Sequence, residues 1–115
     1  MDPNIGKFEA KVRAEWVDDA TTEAWRRWHD KSVTFWHELT TAMLGVAQLG
    51  PGLRVLDLAS GTGDPALTIA ALVGTDGQVV MTDLAPQMIG IARENVARAR
   101  LSNVMFDVAD VHALP

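Results

Sequence analysis

Cysteine is absent from the 115 residues, which excludes disulfides and thiolate metal sites and fits a reducing compartment. No metal site is read from the residues that remain. Positive charge is scarce: ten Lys and Arg stand against fifteen Asp and Glu, for a net charge of −5, and only Arg26-Arg27 brings two basic residues together. That is no electrostatic footprint for a polyanion, so no nucleic-acid partner is expected. Long apolar runs are missing as well, because Arg54 and Asp57 interrupt the longest candidate, and no membrane span is expected. The opening residues, MDPNIGKFEA, lack the charged-then-apolar order of an export signal. A soluble, cytoplasmic chain is the resulting expectation. Repeats and low-complexity tracts are also wanting, while 48% apolar residues suffice for one core.

What is present centres on Arg54 to Ala71. A short apolar run, Val55-Leu56-Asp57-Leu58-Ala59, meets Gly61-Thr62-Gly63 and then Asp64-Pro65 ahead of a helix-forming segment. Strand, tight glycine turn and helix follow in that order. Glycines at 61 and 63 let the backbone turn sharply and let a ligand approach the main chain. Pro65 suits the first helical position, and the free N–H groups of that turn favour a negative or electron-rich group.

Upstream, a frayed start leading into a short helix around Phe8 to Val17 is expected. From Thr22 the apolar residues Trp25, Trp28, Phe35 or Trp36, Leu39, Met43 and Val46 step by three and four, the spacing of an amphipathic helix, with a break expected near Asp30 to Ser32. Leu49-Gly50-Pro51-Gly52 ends it. Downstream, the pattern predicts a helix over Ala66 to Val73, a strand over Gln78 to Thr82, a helix opened by Pro86 and a third strand over Asn103 to Ala109. Strands alternating with helices give an α/β fold with a Rossmann-like parallel sheet, its first three strands flanked by helices and preceded by a helical arm. Residues 1–50 form the arm and residues 51–115 a partial ligand-binding domain in this reading. A ligand belongs at the carboxyl ends of the strands, where Ser60 to Asp64, Asp83-Leu84 and Asp110-Val111 all fall.

Three acidic residues have readable chemistry. Asp83, twenty residues after Gly63, ends the second strand, where a carboxylate can accept from both hydroxyls of a ribose. Asp110 ends the third, well placed for an exocyclic amine such as that of adenine, with Leu84 and Val111 as apolar faces. Asp57 lies inside the first strand, where a buried carboxylate is costly without backbone donors or a ligand cation. Strand-end acids often only cap helices, and Gly61 to Ala66 also satisfies the G-x-G-x-x-A form of a dinucleotide fingerprint. Asp57 in the strand argues against the dinucleotide form, in which small neutral residues precede the first glycine.

Val55-Leu56-Asp57-Leu58-Ala59-Ser60-Gly61-Thr62-Gly63-Asp64 resembles the first motif of the class I S-adenosylmethionine-dependent methyltransferases. Asp83-Leu84-Ala85-Pro86-Gln87-Met88-Ile89 is similar to the second motif, and Asp107-Val108-Ala109-Asp110-Val111-His112-Ala113-Leu114-Pro115 to the third. Within the family the nearest likeness is to the menaquinone and ubiquinone C-methylating group, over Leu53 to Pro115. The resemblance implies S-adenosylmethionine as cofactor, S-adenosylhomocysteine as product and a small molecule as methyl acceptor. It implies that Ala59, Ser60, Gly61, Thr62 and Gly63 lie along the methionine moiety and that Asp57 orients the loop or its waters. Asp83 would take the ribose hydroxyls, Leu84 and Met88 would line the adenine, and Ala109, Asp110 and Val111 would meet the adenine edge.

No catalytic residue is assigned, since methyl transfer from a sulfonium needs chiefly positioning and water exclusion. His29, His37 and His112 are the candidate bases, and a lone histidine on a helix is more often a surface or packing residue. Trp16, Trp25, Trp28 and Trp36 read as core packing, with a lid over the ligand as the lesser alternative for one of them. The family's sheet has seven strands and the match ends after the third, so the resemblance implies the N-terminal part of an enzyme. It also implies self-association through the exposed edge of the first strand. Two other readings stay open, an NAD(P)-dependent oxidoreductase fragment and a noncatalytic module that binds an adenosyl ligand or a partner protein. The lack of cysteine disfavours thiol-dependent metalloid methylation.

Overall fold

The computed structural model describes residues 2–115. Helix α1 spans Pro3–Trp16 and α2 spans Asp19–Ala47; β1 (Arg54–Asp57), α3 (Ala66–Val73), β2 (Gln78–Asp83), α4 (Pro86–Arg98) and β3 (Val104–Val108) follow. Helix α1 begins earlier than its apolar pattern suggests because Asp2 caps it, accepting from the Asn4 N–H at 2.8 Å, with Pro3 at the first helical position. Asp18 caps α2 in the same way through the Thr21 N–H, at 2.9 Å. The expected break near Asp30 to Ser32 does not occur. That segment has no Gly or Pro, and the Thr34 hydroxyl donates to the Asp30 carbonyl at 2.9 Å within an unbroken helix of 29 residues. Gln48, with φ 52°, ends it in the left-handed conformation.

The sheet is parallel throughout, in the order β1-β2-β3. Leu56 pairs with Val80 and Val80 with Met105, while Asp57 lies opposite Met81 and Asp83 opposite Val108. Strand β1 therefore borders the sheet. It is shorter than its apolar run, because Ala59 turns into the left-handed region at φ 55°. Val79 and Met81 point to one face and are fully buried against Ala66, Ala70 and Val73 of α3 and Ala92 and Val96 of α4. The opposite face carries Leu56 and Met105, each 54% exposed.

Gly77 sets how closely β2 follows α3. A Cβ there would stand 2.6 Å from the Val73 Cβ and 2.7 Å from the Leu53 and Val73 carbonyl oxygens. Asn103 fastens the same carboxyl end of that helix, its side-chain amide donating to the Ala70 and Gly74 carbonyls at 2.8 Å each. The strands are thereby held so that their carboxyl ends open on one side, beneath the two N-terminal helices.

Candidate functional site

The loop after β1 is built by short polar side chains. The Ser60 and Thr82 hydroxyls both donate to the Asp57 carbonyl at 3.0 Å, and the Ser60 N–H donates to the Thr82 carbonyl at 2.8 Å. Backbone φ is positive at every second position, 55° at Ala59, 56° at Gly61 and 116° at Gly63. A Cβ on Gly61 would meet nothing within 4 Å, so the backbone there lies open to a ligand. A Cβ on Gly63 would lie 3.3 Å from the Leu67 side chain, so that glycine serves packing instead.

Asp83 ties this loop to β2. One carboxylate oxygen accepts from the Gly61 N–H at 2.8 Å and the other from the Ala85 N–H at 2.9 Å. Each oxygen keeps a lone pair for a further donor, since a carboxylate has about four acceptor sites. Asp57 lies beneath, and its Oδ2 is buried with no hydrogen-bond partner. Burial raises its pKa, the neighbouring Ser60 hydrogen bond opposes the rise, and the Asp64 and Asp83 charges add to it.

The loop and Asp83 floor a cavity of about 740 Å³ whose far wall is the α1–α2 pair. That volume lies within the range of about 300–1,000 Å³ common for small-molecule sites. Ala59 to Thr62, Asp83, Leu84, Met88 and Ala109 to Val111 all reach it; of the residues expected at the site, Asp57 and Gly63 do not. The exocyclic-amine position expected of Asp110 is already occupied on both oxygens. Oδ2 pairs with the Arg13 guanidinium from α1, and Oδ1 accepts from the His112 N–H at 2.9 Å and lies 3.0 Å from its ring Nδ1. These bonds, the His112 backbone first, hold the Asp110 carboxyl below its ordinary range.

The far wall corrects the reading of the aromatic stripe. None of the four tryptophans is buried; Trp16 and Trp25 stack at 6.1 Å between centroids, and both line the cavity with Trp36. The cavity face of α2 is Trp25, His29, Ser32 and Trp36, whose steps of four, three and four are one helical stripe. Trp28 and Phe35 fall outside it, 49% and 75% exposed. Tracking apolar residues alone therefore missed the phase, because two members of the stripe are polar.

Of the three candidate bases His29, His37 and His112, His29 is the one buried against the glycine loop. Its residue is 5% exposed, and Nδ1 lies 2.7 Å from the Thr62 hydroxyl of the glycine loop. Burial lowers its pKa, Asp30 and Asp64 pull it upward, and Arg98 pushes it down. Asp64 is raised by burial, countered by His29. Asn95 completes the network, donating to the Thr62 carbonyl and accepting from Arg98, both at 2.8 Å. The stripe spacing around Trp25 and Trp36 is the signal that points to this histidine.

Residues 49–115 match the family described as "Methyltransferase domain". A ubiquinone/menaquinone biosynthesis C-methyltransferase of Teredinibacter turnerae is 42% identical over 81 residues, 70% of this chain and 31% of the relative. An arsenite methyltransferase of Halobacterium salinarum is 45% identical over 69 residues, 60% of this chain and 18% of the relative. The chain thus spans less than a third of the length of these curated relatives. Among solved structures, an S-adenosyl-L-methionine-dependent methyltransferase from Methanococcus maripaludis superposes with a TM-score of 0.71 over 86% of this chain and 45% of that one. At 19% identity that likeness is one of fold.

Proposed function

The chain belongs to the methyltransferase-domain family, and from that premise we propose that it supplies the cofactor-binding part of an S-adenosylmethionine-dependent methyltransferase acting on a small-molecule acceptor. One observation carries the reading: a glycine loop with open backbone at Gly61, pinned by the carboxylate of Asp83, floors a cavity large enough for a nucleoside and an amino-acid moiety together. Residues 1–50 act as an arm and residues 51–115 as the cofactor-binding body in this proposal.

Ala59 to Thr62 lie along the methionine part with Gly63 packing behind them, Asp83 takes the ribose hydroxyls with its spare lone pairs, and Leu84 and Met88 cover the adenine. Ala109 and Val111 meet the adenine edge, and Asp110 does so once it shares or exchanges its Arg13 partner. The orphaned Oδ2 of Asp57 fits a role under the loop, accepting from an enclosed water. The bound cofactor supplies an activated methyl group; the protein holds an acceptor against it and keeps water out. The apolar wall of Trp16, Trp25 and Trp36 suits a small apolar acceptor, and the net charge of −5 disfavours a nucleic acid. Among the described residues no helix is long and apolar enough to cross a membrane, and we place the protein in the cytoplasm. The border position of β1 supports self-association through its unpaired side, which light scattering over a concentration series tests.

Calorimetric titration with S-adenosylhomocysteine, and with NAD for comparison, tests the central claim. Saturable binding of the first alone, weakened about tenfold or more by Asp83→Ala, is expected from losing hydrogen bonds to a charged group, about 1.5–3 kcal/mol. Binding of NAD alone would overturn it.

A further inference from the structure

We propose that His29 is the proton acceptor for the molecule to be methylated, taking its proton at Nε2 from the side of the cavity walled by α1 and α2. The inference rests on the methyltransferase reading and adds to it the base that the sequence leaves unassigned.

Geometry carries it. His29 lines the cavity with Trp25 and Trp36 on its own helix face, and Nδ1 is held at 2.7 Å from the Thr62 hydroxyl. Among the described residues Nε2 has no hydrogen-bond partner, yet it is not among the sealed, unpartnered polar atoms there, which are Asp57 Oδ2 and Gln87 Oε1. Nε2 is therefore not sealed off, and the residue that carries it lines the cavity. The Thr62 hydroxyl can donate or accept, and in the tautomer proposed Nδ1–H donates to it, which leaves the Nε2 lone pair free to accept. The other two histidines lack this setting: His37 is exposed on α2, and the His112 ring turns to Asp110.

Electrostatics agrees with the geometry. Burial holds the ring neutral at neutral pH, the form a base needs, and Asp64 of the glycine loop favours the imidazolium once it forms. The step balances within the site. The X–H bond of the acceptor breaks, an N–H bond forms at Nε2, and the electron pair stays on X, which would then take the methyl group as the donor's carbon–sulfur bond breaks and its pair goes to sulfur. The proton leaves later to water through the cavity mouth. This confines the acceptor to molecules with an acidic X–H group on a flat or apolar frame that fits beneath the Trp16–Trp25 pair.

4-Nitrophenol is a suitable probe, being a small flat acid whose colour reports its ionisation. It is added to the chain at a pH where His29 is neutral, and the imidazole nitrogens are followed by ¹⁵N NMR. The expected result is saturable binding, an ionised share at least twofold above that in buffer, and conversion of His29 alone to the imidazolium pattern. His29→Gln, which keeps a hydrogen bond to Thr62 but offers no base, should return the ionised share to that of buffer. The wild-type spectrum reads His29 directly, so the result stands even if that variant folds poorly. A probe that fails to bind, that binds with His29 still neutral, or that passes its proton to Asp64 overturns the proposal. S-adenosylhomocysteine is titrated into the same sample. If it binds while His29 stays neutral, the base assignment falls alone; if it does not bind, the methyltransferase reading falls on separate grounds.

Discussion

In the sheet body, Val73, Val79, Met81 and Ala66 have no solvent exposure; in the arm, α1 buries no residue and α2 buries only Thr22, His29 and Leu44 along 29 residues. The body is held by apolar burial, worth about 1.5–3 kcal/mol for each fully enclosed large side chain. Polar links fasten much of the arm instead. Arg13 pairs with Asp110, Arg26 with Glu94 and Arg98 with Asp30, while the Gln87 amide donates to the Val17 carbonyl at 2.8 Å. The cavity lies between a rigid floor and a wall that can part from it at smaller cost, which is what a ligand needs to enter an otherwise covered site.

The largest expected effect lies in the body. Gly77→Ala pushes a methyl group to within 2.7 Å of two carbonyl oxygens and within 2.6 Å of the Val73 Cβ, with backbone on both sides. A cost of about 3 kcal/mol is expected from overpacking of this kind, read as a lower urea midpoint. A variant as stable as the parent would show that α3 and β2 are not locked together, and the contrast with the arm would fail.

Protonation is the next test, and it acts at the seam between the two regions. The folded protein holds His29 below its ordinary value of 6.5, so the unfolded chain binds the proton more readily. Stability therefore falls as pH drops from 6.5 toward the lowered folded value and levels off below it. Asp30, Asp64 and Arg98 are the charges acting on the ring. His29→Gln removes this dependence, and the stability difference between parent and variant should narrow across that window in denaturation at stepped pH. A constant difference would mean that His29 is not shielded by the arm as described. Asp57, with its pKa raised from 3.8, has the opposite sign, since its ionisation weighs against the fold as pH rises.

Arg13→Ala should act more locally still. Exposed ion pairs add little to global stability, so the expected outcome is severalfold faster hydrogen exchange across α1 with no change in β2. Added salt should mimic it in the parent protein. Equal acceleration in β2 would make arm and body one cooperative unit.

Legibility in the sequence divides along the same line. The body was readable because its elements are punctuated: Gly61 and Gly63 after β1, Gly74 after α3 and Pro86 opening α4 all stand where the chain turns. Asp83 could be placed from the strand that it ends. The arm was read less well. Asp2 and Asp18 cap its helices, yet the apolar spacing dominated the reading and hid both the early start of α1 and the continuity of α2. His29 and Ser32 interrupt an apolar pattern that in fact serves a cavity wall, and no rule of burial recovers a stripe that faces a cavity. The Arg13–Asp110 link joins residues 97 positions apart, and pattern reading along the chain has no access to such a pair.

The smallest effect concerns Ala59, where the body itself is not at its most stable. Its φ of 55° is a region in which a Cβ crowds the following carbonyl, at a cost of about 1–2 kcal/mol. Glycine removes the crowding but leaves the unfolded chain freer, which returns about 0.4–1 kcal/mol. Ala59→Gly is thus expected to stabilise the protein by roughly 0.5–1 kcal/mol, a modest rise in the urea midpoint. No change, or a fall, would mean that contacts of the Ala59 methyl group offset the strain. Because Ala59 lines the cavity, S-adenosylhomocysteine titration of the same variant then decides whether those contacts belong to the fold or to the ligand. Lower affinity at higher stability would place the methyl group at the ligand and mark the strain as kept for binding.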